Sequence, residues 1–299
     1  MYSMSEIVEG LTNPHKIVRE FYRLQTRGDY YRPGIDVFEA DWDTLVILDA
    51  CRYDYFSEMV DFPGDLSCVE SRGSATPEWL TGNFRGRDLH DVVYVSANGF
   101  YEKLRDALDA SVHAWIGTYQ SEYRDDVGAV DPKTLTERAI EAAAEYPNKR
   151  LLVHYAQPHA PYIGPEGREY WGDVRGLSVR EMIDEVDDPI DRKREKLREA
   201  YRENLQIGLD AVGTLVDRIE GKTVISSDHG ELLGERRSLL PIRLYDHPRG
   251  VHPPELVNVP WFELPYDSRR EVVAEPPEER QAETDPAAIR NLQELGYHV

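Results

Sequence analysis

Two short apolar runs that each end in an acidic residue constrain the fold of this chain most strongly. The first lies within residues 43–50, where the apolar residues are followed by Asp49. The second leads through Val224 and Ile225 into Asp228 and His229. A continuous apolar run of this length is typical of a parallel strand covered by helices on both faces. Ligands of open α/β sheets bind beyond the carboxyl ends of the strands, so both acids stand where a site would lie.

Strand and helix patterns alternate along the rest of the chain. Apolar runs predict a strand at residues 92–98, a strand that begins at residue 150 and runs into a loop bracketed by prolines, and a short strand at the end of the stretch 245–261. Helical spacing predicts helices at 101–108, 132–146 and 197–219. The stretch from residue 51 to 76 is predicted to be rich in loops, because proline, glycine and small hydroxyl residues interrupt it.

The chain divides into three predicted regions. Residues 1–40 form an N-terminal arm with short helices at 7–24, residues 41–266 form the main domain, and residues 267–299 form an acidic tail with a short helix at 288–295. Within the main domain, the charged stretch 164–195 is interpreted as a lid or insertion.

Charge excludes one class of function. The 56 acidic and 35 basic residues give a net charge of -21, which disfavours binding to nucleic acid or to an anionic membrane. Acids spread along the whole chain, with far more arginines than lysines, resemble the adaptation of halophilic archaeal proteins. No apolar run approaches the roughly 20 residues that span a bilayer, so we expect a soluble, cytoplasmic protein without a transmembrane segment. A peripheral position at the inner membrane face stays open.

Asp228 and His229 allow two interpretations from the residues alone. Such a pair beyond a strand end can converge on a metal ion, but it also fits an ordinary junction between a strand and a loop. His159 lies on a loop bracketed by Pro158 and Pro161, and His247 lies on a second loop rich in proline and glycine. His154 lies inside a predicted strand and is assigned to the core or to a position behind the site.

Thr76 stands directly before Pro77, a residue favoured at the first position of a helix. A hydroxyl at a helix N-terminus can serve as a nucleophile, because the positive end of the helix dipole favours its anion. It can equally serve as a helix cap, and the local sequence does not separate the two roles.

Taken in order, these segments resemble the alkaline phosphatase superfamily, in particular its sulfatase-like branch with the phosphoethanolamine and phosphoglycerol transferases. The resemblance covers roughly residues 41 to 262. It is carried by the segments 227–235, 158–162 and 255–260, by the helix 197–219 and by 295–297 near the C-terminus. It implies an α/β fold with a doubly wound, mostly parallel sheet flanked by helices, and metal ions at the carboxyl ends of its strands.

Matching position by position, the resemblance implies that Asp49, Thr76, Asp228 and His229 hold one divalent ion, and that His159 and His247 serve a second ion or the substrate. One or two ions are expected, and Zn²⁺, Mn²⁺, Mg²⁺ or Ca²⁺ would suit the donors.

Thr76 is the predicted nucleophile, because a threonine serves in the transferase-like members. Sulfatases use a cysteine that matures to formylglycine, and Cys68 with Arg72 comes close to that motif but has Glu70 where it needs proline or alanine. Cys68 and Ser74 therefore stay as alternatives. One disulfide between the two cysteines is also left open.

Arg52 and Arg72 lie near these segments and are predicted to bind the oxygens of the transferred group, as guanidinium groups do. The resulting hypothesis is a hydrolase or transferase of phosphate or sulfate esters on small molecules or glycans, acting through a covalent intermediate. The alternatives are a formylglycine sulfatase that uses Cys68 and a non-catalytic, metal-binding relative.

Overall fold

The computed structural model describes residues 28–277, apart from residue 120, residues 125–127, residues 173 and 175, and residues 237–242. The predicted helices at residues 7–24 and 288–295 lie outside the described residues.

The described residues form strands and helices in alternation. The strands are β1 (Thr44–Leu48), β2 (Asp65–Glu70), β3 (Asp88–Ser96), β4 (Ser111–Gly117), β5 (Tyr123–Arg124), β6 (Ala129–Val130), β7 (Arg150–Tyr155), β8 (Thr223–Ser226), β9 (Leu232–Arg236), β10 (Arg243–Asp246) and β11 (Asn258–Glu263). The helices are α1 (Tyr53–Met59), α2 (Thr76–Phe84), α3 (Phe100–Leu108), α4 (Pro132–Glu145), α5 (Pro165–Trp171), α6 (Val179–Glu185), α7 (Ile190–Val216) and α8 (Pro254–Val257).

The main sheet has seven strands in the order β2-β11-β8-β1-β7-β3-β4. β1 pairs in parallel with β7 and β8, and β3 pairs in parallel with β7 and β4. β11 runs antiparallel to both of its neighbours in this sheet, β8 on one side and β2 on the other. The prediction of a doubly wound, mostly parallel sheet is therefore confirmed, with an antiparallel edge.

Both faces of the sheet are covered by helices. Along β1, Val46 and Leu48 belong to one core with buried residues of α4 and α7, whereas Leu45 and Ile47 belong to a second core with buried residues of α2 and α3. Successive side chains of a strand point to opposite faces, so a strand with two buried faces must be apolar throughout. This is why β1 reads as an unbroken apolar run.

Two strands of the main sheet were not predicted. β2 lies in the stretch predicted to be rich in loops, and β4 follows α3 without a strong apolar run. β2 pairs with β11 along its whole length, from Asp65 against Glu263 to Glu70 against Asn258. Most of its side chains are exposed, so its sequence lacks the apolar pattern that marks a buried strand.

The predicted lid, residues 164–195, contains α5, α6 and the start of α7. A capping box between Ser178 and Glu181 begins α6. The backbone N–H of Arg180 donates to the Asp246 carboxylate at 3.2 Å, so α6 lies against the end of β10. The role of this segment as a lid stays a prediction.

The described part of the predicted tail, residues 267–277, packs on the main domain. Arg269 pairs with the buried carboxylate of Asp43 at 2.8 Å, and Glu275 pairs with Lys149 at 2.7 Å. Asp43 and Lys149 precede β1 and β7, so this segment lies at the amino-terminal ends of these strands. Asp49 and Asp228 lie at the opposite, carboxyl-terminal ends.

Candidate metal centre

Asp49, Asp228 and His229 lie together at the carboxyl ends of β1 and β8. The two strands are neighbours in register, with Ile47 opposite Ser226, which brings their following residues side by side. His229 Nε2 lies 3.5 Å from Asp49 Oδ1 and 3.4 Å from Asp228 Oδ2. All three side chains are buried.

Thr76 joins the same cluster. It is the first residue of α2, and the N-cap position belongs to Ala75, which provides no side-chain cap. Thr76 Oγ1 donates to Asp228 Oδ2 at 2.7 Å and lies 3.5 Å from His229 Nε2. The hydroxyl is therefore directed at Asp228 and His229 and not at the backbone of its own helix. This favours the role of Thr76 as a nucleophile over its role as a helix cap.

Local backbone geometry directs these side chains inward. Ala50, directly after Asp49, has a left-handed φ of 62°, and its N–H donates to Asp228 Oδ1 at 3.2 Å. After His229 the chain passes so close to another segment that a Cβ on Gly230 would lie 2.0 Å from the backbone oxygen of Glu255. Only glycine fits there, so the glycine that follows the Asp-His pair is required by packing.

His159 and His247 lie in an adjoining group with Glu231. One ligand atom from each of the three residues lies within 4.8 Å of the others. His247 Nδ1 donates to Glu231 Oε2 at 3.1 Å, and its ring stacks on that of His229 with centroids 4.5 Å apart. The structure therefore brings all six predicted metal ligands to one place, in two adjacent groups.

Hydrogen bonds fix which nitrogen of each imidazole faces the site. His229 Nδ1 donates to the carbonyl oxygen of Gly230 at 2.8 Å, and His159 Nδ1 donates to the carbonyl oxygen of Ala160. In each ring the proton then sits on Nδ1, and Nε2 keeps its lone pair. This is the arrangement that metal-binding histidines commonly show.

Sequence reasoning missed or underrated three residues of the site: Asn98, His154 and Glu231. Asn98 follows β3 and donates from Nδ2 to Asp49 Oδ2 at 2.8 Å. His154 Nε2 lies 3.8 Å from Asp49 Oδ2 and 3.7 Å from Asp228 Oδ2. A histidine inside the otherwise apolar run of β7 was the available signal, whereas nothing in the sequence marks Asn98.

In the group at the ends of β1 and β8, burial disfavours the ionised forms of Asp49, His154 and His229. Burial raises the pKa of Asp49 well above its ordinary range, and the adjacent Asp228 carboxylate raises it further. Burial and the nearby His247 hold the pKa of His229 well below its ordinary value, and burial lowers the pKa of His154 to about 4. Two adjacent buried carboxylates with neutral imidazoles form a set that a divalent cation would stabilise.

In the adjoining group, the surroundings of Glu231 and His247 favour their ionised forms. Burial opposes the charge of His247, but the Glu231 carboxylate outweighs burial and raises the pKa of His247 to about 9. Burial alone would raise the pKa of Glu231, yet the charge and hydrogen bond of His247 lower it. At neutral pH the two residues therefore form an ion pair, in which Glu231 is buried and His247 is partly exposed.

The donor atoms fit the predicted divalent metal. Among the described residues, His154 Nε2 and Glu231 Oε1 are buried and have no hydrogen-bond partner. One such atom belongs to each group, and each group mixes carboxylate oxygen with imidazole nitrogen. A buried polar atom without a partner is costly unless an ion or a water molecule satisfies it. This mixture of oxygen and nitrogen ligand atoms suits Zn²⁺ or Mn²⁺.

Neither predicted arginine offers a free guanidinium group. Arg52 is buried and binds Asp54 and Glu235, each at 2.6 Å. Arg72 binds Asp36 at 2.8 Å and the carbonyl oxygen of Gly82 at 2.7 Å. Both guanidinium groups are thus engaged in ion pairs, and the substrate role of Arg52 and Arg72 stays a prediction.

The alternative nucleophiles have other surroundings. Cys68 is an exposed residue of β2, paired in register with Pro260, and both cysteines are free thiols. Ser74 Oγ lies 2.8 Å from Glu78 Oε2 and 3.0 Å from the carbonyl oxygen of Pro248, so its hydrogen is directed at these atoms and not at Asp49 or Asp228. Of the three hydroxyl or thiol candidates, Thr76 is the one in contact with Asp228 and His229.

Among the described residues, no helix combines the length and the apolar character that crossing a bilayer requires.

No protein-family model matches the sequence, and no curated protein is significantly similar to it. Solved structures do match. The C-terminal periplasmic domain of EcEptC from Escherichia coli, in complex with Zn, is 12% identical over 75% of this chain and 72% of its own, with a TM-score of 0.48. The integral membrane protein lipooligosaccharide phosphoethanolamine transferase A from Neisseria meningitidis is 15% identical over 74% of this chain and 47% of its own, with a TM-score of 0.47.

The phosphonate monoester hydrolase SpPMH from Silicibacter pomeroyi is 13% identical over 85% of this chain and 73% of its own, with a TM-score of 0.40. These matched structures belong to the alkaline phosphatase superfamily, the group that the sequence resembles.

Proposed function

We propose that this chain is a metal-dependent hydrolase or transferase of phosphate or sulfate esters, with Thr76 Oγ1 as its nucleophile. The observation that carries the proposal is the position of that hydroxyl, 2.7 Å from Asp228 Oδ2 and 3.5 Å from His229 Nε2. A buried hydroxyl that contacts a carboxylate and an imidazole with a free lone pair is placed for nucleophilic catalysis.

Asp49, Thr76, Asp228 and His229 would hold one divalent ion, with His154 beside them. His159, Glu231 and His247 would hold a second ion or bind the substrate. A bound divalent ion lowers the pKa of a coordinated hydroxyl and neutralises the oxygens of the ester. Asn98 keeps Asp49 in place through its 2.8 Å hydrogen bond.

The chain's own residues account for the proton and the new bond. The Thr76 proton passes to Asp228 Oδ2, the atom it already contacts, as Oγ1 forms a bond to phosphorus or sulfur and the bond to the leaving oxygen breaks. His247, whose pKa of about 9 keeps it protonated at neutral pH when no second ion is bound, can stabilise an anionic oxygen. Water or an acceptor hydroxyl then forms a bond to phosphorus or sulfur and gives its proton to the departed oxygen of the leaving group, while the bond to Thr76 Oγ1 breaks and Asp228 returns its proton to Oγ1.

The substrate class proposed is a small-molecule or glycan ester. The halophilic origin and the cytoplasmic location remain predictions from composition.

The test replaces Thr76 by alanine and by serine. We expect Thr76→Ala to lose at least about 10³-fold in kcat on aryl phosphate, phosphodiester or sulfate substrates, and Thr76→Ser to retain activity, because serine keeps the hydroxyl. The assay is release of nitrophenol with added Zn²⁺ or Mn²⁺, alongside metal content by mass spectrometry.

Thr81→Ala is the matched control. Thr81 lies on the same helix and is also buried, but its hydroxyl donates to the carbonyl oxygen of Pro77 at 2.7 Å. Its activity should equal that of the wild type. Undiminished turnover by Thr76→Ala would refute the nucleophile, and bound metal without activity on any of the three ester classes would favour a non-catalytic metal-binding protein.

A further inference from the structure

One face of α7 carries polar side chains toward the carboxyl ends of β1 and β7. Tyr201, Asn204 and Gly208 are spaced by three and four residues, which places them on the same side of the helix. Tyr201 and Asn204 are both fully buried. Burying two polar side chains on an apolar helix face is costly unless hydrogen bonds satisfy them, so their partners are informative.

Tyr201 binds the turn that follows Asp49. Its hydroxyl donates to the carbonyl oxygen of Ala50 at 2.7 Å and accepts from the backbone N–H of Arg52 at 3.0 Å. This turn contains the left-handed residue Ala50, whose conformation is unfavourable by itself. The hydroxyl of Tyr201 therefore closes the turn that sets the direction of the Asp49 side chain.

Asn204 binds the loop that carries His159. Its Nδ2 lies 3.0 Å from the carbonyl oxygen of His159, 3.2 Å from that of Pro161 and 3.3 Å from that of Pro158. Its Oδ1 accepts from the N–H of Ile163 at 2.9 Å. Because the two prolines have no N–H, the loop cannot close its own backbone hydrogen bonds at those positions and depends on an outside donor.

Gly208 lets the helix approach these segments closely. A Cβ at this position would lie 3.3 Å from Cβ of Gln157 and 3.6 Å from Cδ2 of Leu48. The two contacted residues directly precede Pro158 and Asp49. The same helix face is thus packed against the bases of both segments.

We infer that α7 positions both halves of the metal centre at once, with Tyr201 fixing the Asp49 turn and Asn204 fixing the His159 loop. The inference rests on the proposed metal-dependent function. The hydrogen bonds of Tyr201 and Asn204 go to backbone atoms and not to the proposed metal ligands' side chains, so both are positioning residues. Because they are one turn apart on a single helix, they add a common support to two segments that are already joined by the N–H of His159, which donates to the carbonyl oxygen of Asp49 at 3.1 Å.

The experiment uses the full chain loaded with Co²⁺, whose visible absorption reports the geometry of its ligands. Tyr201→Phe removes only a hydroxyl, and Asn204→Leu replaces the amide by an apolar group of similar size. We expect each variant to bind Co²⁺ about 10- to 100-fold more weakly, with an altered absorption spectrum, as for losses of outer hydrogen bonds at metal sites.

Two matched controls separate positioning from a general loss of stability. Tyr155→Phe removes a buried hydroxyl that bonds to Thr136 Oγ1 at 2.7 Å, and Asn83→Leu removes a buried amide that bonds to backbone atoms of Val37 and Trp79. Both should melt at lower temperature yet keep the wild-type Co²⁺ affinity and spectrum.

If Asn204→Leu does not fold, Gly208→Ala provides the second variant, since it keeps both polar side chains but displaces the helix; weaker Co²⁺ binding supports the inference. Wild-type affinity and spectrum in the folded variants would overturn the inference while leaving the proposed function intact. A wild-type protein that binds no Co²⁺ would overturn the proposed function, and the inference with it.

Discussion

The buried carboxylate of Glu78 links the start of the nucleophile's helix to the loop after His247. Its Oε2 accepts from the N–H of Ser74 at 3.0 Å and from the N–H of Gly250 at 3.2 Å, and its Oε1 lies 2.7 Å from His252 Nε2. Removing this carboxylate should therefore destabilise the region that holds Thr76.

The structure sets the size of the effect. In Glu78→Ala, the buried N–H and hydroxyl of Ser74 lose this acceptor, as do the N–H of Gly250 and the ring of His252, and each buried donor left unsatisfied costs about 1–3 kcal/mol. In Glu78→Gln an amide oxygen still accepts, so the loss is the difference between charge-assisted and neutral hydrogen bonds, about 1–2 kcal/mol. Glu58→Gln is the control, because the ion pair of Glu58 with Arg202 is exposed and worth about 0–1 kcal/mol.

The effect should depend on pH. Burial alone would raise the pKa of Glu78, but its hydrogen bond and charge interaction with His252, together with its hydrogen bonds to Ser74, lower the pKa below the ordinary value of 4.5. A carboxyl whose pKa is lower in the folded state stabilises the protein above pH 4.5, and this contribution is lost as the pH falls through the folded-state pKa. The stability gap between wild type and Glu78→Gln should therefore shrink below pH 4.5.

Urea denaturation followed by tryptophan fluorescence measures both quantities, at pH 7 and in steps toward pH 3. A cost below about 1 kcal/mol for Glu78→Ala at pH 7 would show that this network does not stabilise the fold. A gap to Glu78→Gln that grows as the pH falls would refute the assigned direction of the pKa shift.

Two further predictions follow from packing. Gly230→Ala places a Cβ 2.0 Å from the backbone oxygen of Glu255 and should abolish the cooperative thermal transition, whereas Gly86→Ala, with φ of 68° and no heavy atom within 4 Å of the added Cβ, should cost only about 1–2 kcal/mol in the same melting experiment. A thiol reagent should modify the exposed Cys68 in the native protein and the buried Cys51 only after denaturation; rapid modification of both, or of neither, would contradict the structure.

The buried strands could be predicted because their environment is uniform. β1 and β8 are covered on both faces, so each reads as an apolar run, and the acids that follow them, Asp49 and Asp228, stand out. The helix predicted at residues 197–219 is found at Ile190–Val216, because its apolar spacing marks the buried face but not its charged, partly exposed beginning. β2 was missed for the opposite reason: its hydrogen bonds come from β11, almost 200 residues away, and its side chains face solvent.

The part of the site that escaped prediction is the part that depends on the order of strands in the sheet. His154 and Asn98 reach the acidic cluster because β7 and β3 lie next to β1 in succession, an order that no local pattern encodes. Tyr201 and Asn204 show the same limit more sharply, since in the sequence they are two polar positions on a predicted helix, and the helical spacing includes only Tyr201. Their partners are backbone atoms of Ala50, Arg52 and the 158–163 loop, and a backbone atom leaves no signal in the sequence. Ligand side chains can therefore be proposed from the chain alone, whereas the residues that hold them in place require the folded structure.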